Sequence, residues 1–402
     1  MAGDGSAEVY LRLVITECRK RGGDPVLFGI GGSWLMEMLK AEGITCVPWR
    51  DIDARDGIAS LSKALPGACE AKRISLSWGA VKQSILRRVP VSVKLVLGNL
   101  RQIICLYKAF GRVPIDVMHI NVHGYEVAGV SCRWRGIPCL GLYHISPVRE
   151  HDRVRRWLIR KTAHSYNLLV GVSLASAKAW GEWCDMPSGR CVAVYNGLNL
   201  EKHLSFLHPA KVPDDPFNLL CVAKLHPMKG LKYLISAMRL LRDRPVTLSI
   251  AGGGELEETL KGQAEEMGVS DRIRFWGHLS DPAPLYEAAD CFVLPSVALE
   301  GCPFVLIEAM ASVLPAITSD FGPLAEVNLD GVTGLVVPMA DPDRLAQAIR
   351  NLMDSAETCR RMGEAGRARA LSVFSFATMV DNLMGLYLKL GQARRPGCAG
   401  TC

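Results

Sequence analysis

Short, almost uninterrupted apolar runs alternate along this chain with stretches whose apolar residues recur at helical spacing. The pattern is sharpest in the second half. Residues 218–225, 246–251, 273–276, 291–295, 316–319 and 333–337 read as strands, too uniformly apolar for a sheet with one wet face. Helical periodicity fills the gaps after 229 and at 284–289 and 304–311, and closes the chain at 343–353, 356–370 and 376–390. Glycine sits at strand ends, at 252–254 and again at 277. Alternation of this kind predicts a doubly wound parallel sheet with helices on both faces.

The first half repeats the pattern less regularly. Strands are expected at 25–30, 44–48, 116–121, 138–144, 168–172 and 192–195, with helices at 8–21, 33–40, 92–110, 124–134, 149–164 and up to 184. The chain opens on a glycine-rich loop and a helix, where a βαβ domain should open on a strand, so a first strand is expected to be missing. Residues 207–216 turn polar and proline-rich, as a linker does. A chain of 402 residues favours two cores. The expected division is an N-terminal domain over 1–205, a linker over 206–216 and a second domain over 217–372. A helix over 373–391 then packs back toward the first domain, and 392–402 form a disordered tail.

Composition narrows the class. Apolar residues make up 49% of the chain, yet no uninterrupted run approaches the ~18 residues of a membrane helix. The start, MAGDGSAEVYLRLV, lacks the charged and apolar regions of a signal peptide. The 14 cysteines are scattered without CxxC or metal-like spacing, which fits reduced core thiols in a cytoplasmic protein and no metal site. Charge is localised. Lys72, Arg73, Lys82, Arg87, Arg88, Lys94, Arg101, Lys108 and Arg112 fall between Ala71 and Ile115 with no Asp or Glu among them. They outnumber the net charge of +7, so the rest of the chain is slightly acidic. Lys94, Arg101 and Lys108 share one face of the helix at 92–110, drifting by only about 20° per heptad. That face is either simply solvated or made for an anionic membrane surface. Basicity so confined points away from nucleic acid.

Candidate chemistry concentrates at 289–312. Glu300 and Glu308 bracket the turn between a buried strand and a helix, the place where open α/β sheets hold ligands. The amides of Phe304, Val305 and Leu306, at a helix N-terminus, suit a phosphate. Lys224 and Lys229, after the strand at 218–225, supply fixed positive charge. His144 stands at a strand's carboxyl end, as do the weaker candidates His119 and His123. Each has a plainer account: a solvated helix start for the lysines, a charge near a helix dipole for Glu308, a structural histidine for His144.

Taken in order, these segments resemble the family 4 glycosyltransferases. The landmarks are the AKLHPMKG turn, AGGGE, FWGHL, the pair Glu300 and Glu308 matching the family's E-x7-E, FGPLAE and DGVTGL. Fainter likenesses are GSAEVYLRL, LYHIS and VYNGLN. The resemblance implies a GT-B architecture of two facing Rossmann-like domains with a cleft between them. It also implies a retaining hexosyltransferase that uses a nucleotide sugar and no metal or other cofactor. By resemblance Glu300 holds donor-sugar hydroxyls, Glu308 the ribose hydroxyls, and Lys224, Lys229 and the Gly253 turn the diphosphate side. His144 approaches the reacting carbon from the other domain, while the loop of Gly5 borders a saccharide or lipid-linked acceptor. Departures are Lys224 for the family's Arg, Cys302-Pro303 after Gly301, and Val313 where Gly is frequent. The alternatives are a nucleotide-sugar epimerase of the same fold and a catalytically impaired membrane-associated homologue.

Overall fold

The computed structural model describes residues 15, 18–23, 26–29, 45–48, 91–111, 115–122, 127–147, 153–204, 215–298 and 300–393. Strands β1 (Val26–Gly29) and β2 (Thr45–Pro48) form a parallel pair of their own, with Val26 opposite Thr45. A four-stranded parallel sheet follows, β3 (Met118–Val122), β4 (Cys139–Tyr143), β5 (Leu168–Gly171) and β6 (Cys191–Ala193), in chain order. Around it run helices α1 (Val91–Phe110), α2 (Ala128–Arg135), α3 (Arg153–Ala163) and α4 (Leu174–Cys184). All of β4 is buried, as a strand covered on both faces must be. Expectations at 8–14, 33–40, 49–90 and 205–214, and the helix start at 124–126, lie outside the described residues.

A short helix, α5 (Glu201–Leu204), precedes the second sheet. Its strands are β7 (Phe217–Val222), β8 (Val246–Ala251), β9 (Ile273–Gly277), β10 (Cys291–Leu294), β11 (Ala316–Ser319) and β12 (Gly334–Val337). The order is β12-β11-β10-β7-β8-β9, all parallel. The chain thus builds outward from β7 on one side, returns, and builds outward from β10 on the other. The carboxyl ends of β7 and β10 flank the switch point, where such sheets bind ligands. The intervening helices are α6 (Leu231–Leu240), α7 (Glu257–Glu266), α8 (Ala283–Ala288), α9 (Phe304–Ala311), α10 (Gly322–Val327), α11 (Pro342–Met353) and α12 (Ala356–Val373). Two differ from the sequence reading. The segment at 321–326 reads as a loop but forms α10, because Pro323 fits the first helical turn and Leu324 and Val327 bury one side. Helix α7 leaves no clear periodicity in the sequence, because its apolar face is narrow; only Leu260 and Ala264 are buried.

The last helix, α13 (Phe376–Ala393), returns to the N-terminal half. Leu198 and Ser375 form an isolated parallel bridge, with Leu198 N–H donating to Phe374 O at 3.1 Å and Phe376 N–H to Leu198 O at 2.9 Å. Tyr387 on α13 meets His119 Nδ1 at 2.6 Å, and Asp381 pairs with Arg21 at 2.6 Å. Residues 392 and 393, read as tail, belong to this helix; 394–402 lie outside the described residues. One apolar cluster runs through both halves, from Leu140, Leu142 and Val170 across Val194 and Leu200 to Leu220, Phe292 and Leu306. Separate clusters fill the outer layers of each domain.

Helix α9 ends on a strained residue. Val313 follows the C-cap with φ of 60°, a conformation that a β-branched side chain resists. Its carbonyl oxygen lies 2.0 Å from where a Cβ on Gly363 would stand, so α12 packs straight onto this turn. Val313→Gly should raise stability by about 0.5–1 kcal/mol, the relief of left-handed strain less the entropy of a new glycine. A denaturation midpoint at or below that of the parent protein would contradict this account.

Candidate active site

The loop after β7 carries Lys224, His226 and Lys229. The His226 side chain caps the short turn Pro227–Lys229 by accepting from Met228 N–H at 3.3 Å, and Gly230, with φ of 66°, turns the chain into α6. A Cβ at Gly230 would lie 2.1 Å from Pro295 O, so this loop rests against the end of β10. Lys229 is thereby aimed across the switch point. Its Nζ donates to Glu300 Oε1 at 2.5 Å, with 25% of the lysine side chain and 6% of the glutamate side chain exposed. Ser296 Oγ donates to the same carboxylate oxygen at 2.6 Å, and Ser319 Oγ in turn donates to Ser296 O. Lys224 stands exposed on the same loop. The Gly253 turn lies beneath it, accepting from Leu225 N–H at 3.0 Å.

Facing this pair is the loop that follows β4. Ser146 Oγ donates to Glu300 O at 3.1 Å, and Asn196 Nδ2 donates to Cys302 O at 2.7 Å. A Cβ on Gly301 would lie 2.1 Å from His144 O, so the two loops meet backbone to backbone and only glycine fits between them. The His144 ring is half-buried, its Nε2 3.1 Å from Asn121 Oδ1 on β3. His119, two residues before Asn121, has its pKa pushed down to about 4, mainly by burial, so it is neutral at ordinary pH. The structure therefore brings Lys229, Glu300 and the His144 loop together from opposite domains.

Glu308 sits one turn inside α9, half-buried, and its Oε2 accepts from the Tyr286 hydroxyl at 2.9 Å. Tyr286 is fully buried; burial, then the Glu308 charge, drives its phenol well above the usual range, so it remains a donor. No side chain caps the N-terminus of α9, and Pro303 precedes Phe304 there; Phe304 and Val305 are half-exposed and Leu306 is buried. On the other domain Lys108 is exposed in the last turn of α1. Lys94 and Arg101 lie on that helix, and nothing of their side chains is described. Gly5 and His123 lie outside the described residues. The sequence singles out none of Asn121, Ser146, Asn196, Tyr286 and Ser296 as a functional residue, although Ser146 lies in LYHIS and Asn196 in the Asn-Gly turn of VYNGLN.

Both halves of the chain are similar to known proteins. Residues 58–202 match the model of Glycosyltransferase Family 4, and 207–369 match that of Glycosyl transferases group 1. Glycogen synthase of Mycobacterium tuberculosis is 35% identical over 300 residues, 70% of this chain and 70% of that one. A GDP-mannose-dependent alpha-(1-6)-phosphatidylinositol monomannoside mannosyltransferase of Mycolicibacterium smegmatis is 33% identical over 44% of this chain and 49% of its own. With that relative and several others the match spans about half their length. Among solved structures, a glycosyltransferase from Rickettsia africae superposes with a TM-score of 0.72 at 18% identity, covering 97% of this chain and 96% of its own. Anabaena Alr3699/HepE in complex with UDP gives 0.70 at 18% identity, covering 97% and 98%. The fold is GT-B, and the chain belongs to the family 4 glycosyltransferases, enzymes that transfer sugar from nucleotide sugars.

Proposed function

We propose that this chain is a retaining hexosyltransferase that moves a sugar from a nucleoside-diphosphate sugar to a saccharide or lipid-linked acceptor, in cell-surface polysaccharide or glycolipid synthesis. The observation that carries the reading is the pair of half-buried Lys229 and buried Glu300 at the switch point, closed over by the His144 loop of the opposite domain. Lys229 keeps two further N–H donors for a diphosphate, joined by the amides of Phe304 and Val305, with Lys224 further out. The Leu306 amide, also expected there, instead donates to Pro303 O at 3.2 Å. Glu308, held by Tyr286, takes the ribose hydroxyls, and Glu300 takes sugar hydroxyls. His144 contacts the sugar beside the reacting carbon. The bond from that carbon to the diphosphate breaks while a bond to the acceptor oxygen forms on the same face; the acceptor's proton passes to a departing phosphate oxygen. Charge grows on the diphosphate as it leaves, so donors fixed around it favour the transition state over the ground state. Those donors supply the positive charge, and no metal takes part.

The acceptor side suits an anionic membrane at the cytoplasmic face. In addition to Lys108 on α1, helix α3 carries Arg153, Arg155, Arg156, Arg160 and Lys161, and Trp134 and Trp157 are each 54% exposed. Among the described residues no helix is long and apolar enough to cross a membrane.

A thermal-shift series with UDP, GDP and ADP, followed by the matching nucleotide sugars, tests the donor site. HepE was solved with UDP, and several relatives are named as GDP-mannose-dependent, so these two nucleotides come first. At 100 times its dissociation constant the correct one should add about 2.7 kcal/mol. Product NMR should then show the donor's anomeric configuration retained in a new glycoside, whereas an epimerase would return an altered nucleotide sugar without any acceptor. No shift from any nucleotide with folded protein would sink the reading. Absence of binding to anionic liposomes at low salt would remove the membrane component alone.

A further inference from the structure

We infer that Glu326 is a clasp between the two domains that positions His144 and Ser146 against the Glu300 loop; its catalytic consequence rests on the transferase reading above, its structural one does not. Glu326 lies on α10 of the C-terminal domain. Its two carboxylate oxygens accept from the first two amides of α4 in the N-terminal domain, Leu174 N–H at 2.7 Å and Ala175 N–H at 2.8 Å. The next amide, Ser176 N–H, is met at 3.1 Å by Ser173 Oγ. The opening amides of a helix have no partners within the helix itself, and here two of them are satisfied from the other domain. The negative charge also suits the positive end of the helix dipole. Tyr195, in the turn leading out of the N-terminal domain, donates its hydroxyl to Oε1 of the same carboxylate. Burial and then Glu326 raise the Tyr195 phenol, which keeps it a donor through neutral pH.

The clasp is anchored at both ends. On its own side the main chain of Glu326 is gripped by Arg369 of α12, which donates to Glu326 O at 2.9 Å and to Val327 O at 3.1 Å. On the far side α4 holds the loop of His144. Trp180 Nε1 donates to Ile145 O at 2.7 Å, and Ser176 Oγ donates to it at 3.4 Å. Ile145 lies between His144 and Ser146, and Ser146 donates to Glu300 O at 3.1 Å. Release of α4 by Glu326 would therefore loosen the loop that faces the Lys229–Glu300 pair. The lysines and amides assigned to the donor would keep their places, because they belong to the C-terminal domain. Glu326 does not reach the reacting atoms and is a positioning residue.

Glu326→Ala and Glu326→Gln, with Tyr195→Phe as a milder third variant, test this. In Glu326→Ala the thermal shift by the nucleoside diphosphate and the donor KM should stay within about twofold. Its kcat should fall by about 10–100-fold, the scale of an ångström's misplacement of a reacting group. Glu326→Gln, which retains an acceptor oxygen for one amide, should recover part of that rate. Small-angle scattering should show a larger radius of gyration for Glu326→Ala than for the parent, and this arm reads the clasp even if no nucleotide binds either protein. A lower melting temperature with unchanged kcat would make Glu326 a stabilising cap and overturn the positioning role. Equal kcat and equal radius of gyration would overturn the inference entirely. Should Glu326→Ala not fold, the same comparisons apply to Glu326→Gln and Tyr195→Phe.

Discussion

Lys229→Ala is expected to abolish the stabilisation of the protein by nucleoside diphosphate and to lower kcat/KM by about 10²–10³-fold, the usual result of removing one donor from a charge-stabilising set. The stability cost should be visible without ligand. Glu300, with 6% of its side chain exposed, would keep only the Ser296 hydroxyl on the oxygen it now shares with Lys229, and stranding a buried charge costs about 2–3 kcal/mol when, as here, one partner is partly open to water. Urea denaturation without ligand measures the stability cost, and initial rates with the cognate nucleotide sugar the loss of kcat/KM. Lys224 is the built-in control. It is exposed, and exposed charges contribute little, so Lys224→Ala should cost only a few-fold in kcat/KM. Combining Lys229→Ala with Glu300→Gln should be far less than additive, because the pair acts as one unit. A Lys229→Ala protein with turnover within a few-fold of the parent would displace this pair from the centre of the site.

The strands are legible because parallel strands buried on both faces leave uniform apolar runs, and because a left-handed residue such as Gly230 marks where such a strand hands over to a helix; their order across the sheet comes from the structure alone. Lys229, Glu300 and Glu308 stood out for the same reason: a charged residue at the end of an apolar run is conspicuous. The groups that hold them were not legible. Tyr286 reads as one more apolar-periodic residue of a short helix, and only three-dimensional proximity turns its hydroxyl toward Glu308. Ser146 and Asn196 are ordinary loop residues until the domains meet, and their partners are 154 and 106 positions away. Glu326 illustrates the limit best. Its segment, FGPLAE, is a landmark of the family resemblance and reads locally as a loop. Nothing local says that its carboxylate closes the end of a helix some 150 residues earlier. Periodicity reports what a residue does for its own element and is silent on what it does for another.

Gly301→Ala should damage turnover severely for a single added methyl group. The added carbon would stand 2.1 Å from His144 O and 2.6 Å from Val172 Cγ2, and the first of these is backbone that cannot rotate away. Either the Glu300 loop withdraws or the domains part. Both movements stretch the bonds from Ser146 to Glu300 and from Asn196 to Cys302. Overpacking of this kind costs about 1–3 kcal/mol in stability, whereas the displaced loop should cost about 10²-fold in kcat. The mechanism is separable from simple destabilisation by a second substitution. If Gly301→Ala acts by moving His144, then His144→Ala and the double variant should have nearly the same kcat, because a misplaced side chain that is already absent cannot be lost twice. If the two losses multiply instead, the glycine serves Glu300 and Lys229 alone, and the meeting of the two loops is only packing. Undiminished turnover in Gly301→Ala would mean that the reaction proceeds with the loops farther apart than they stand in this structure.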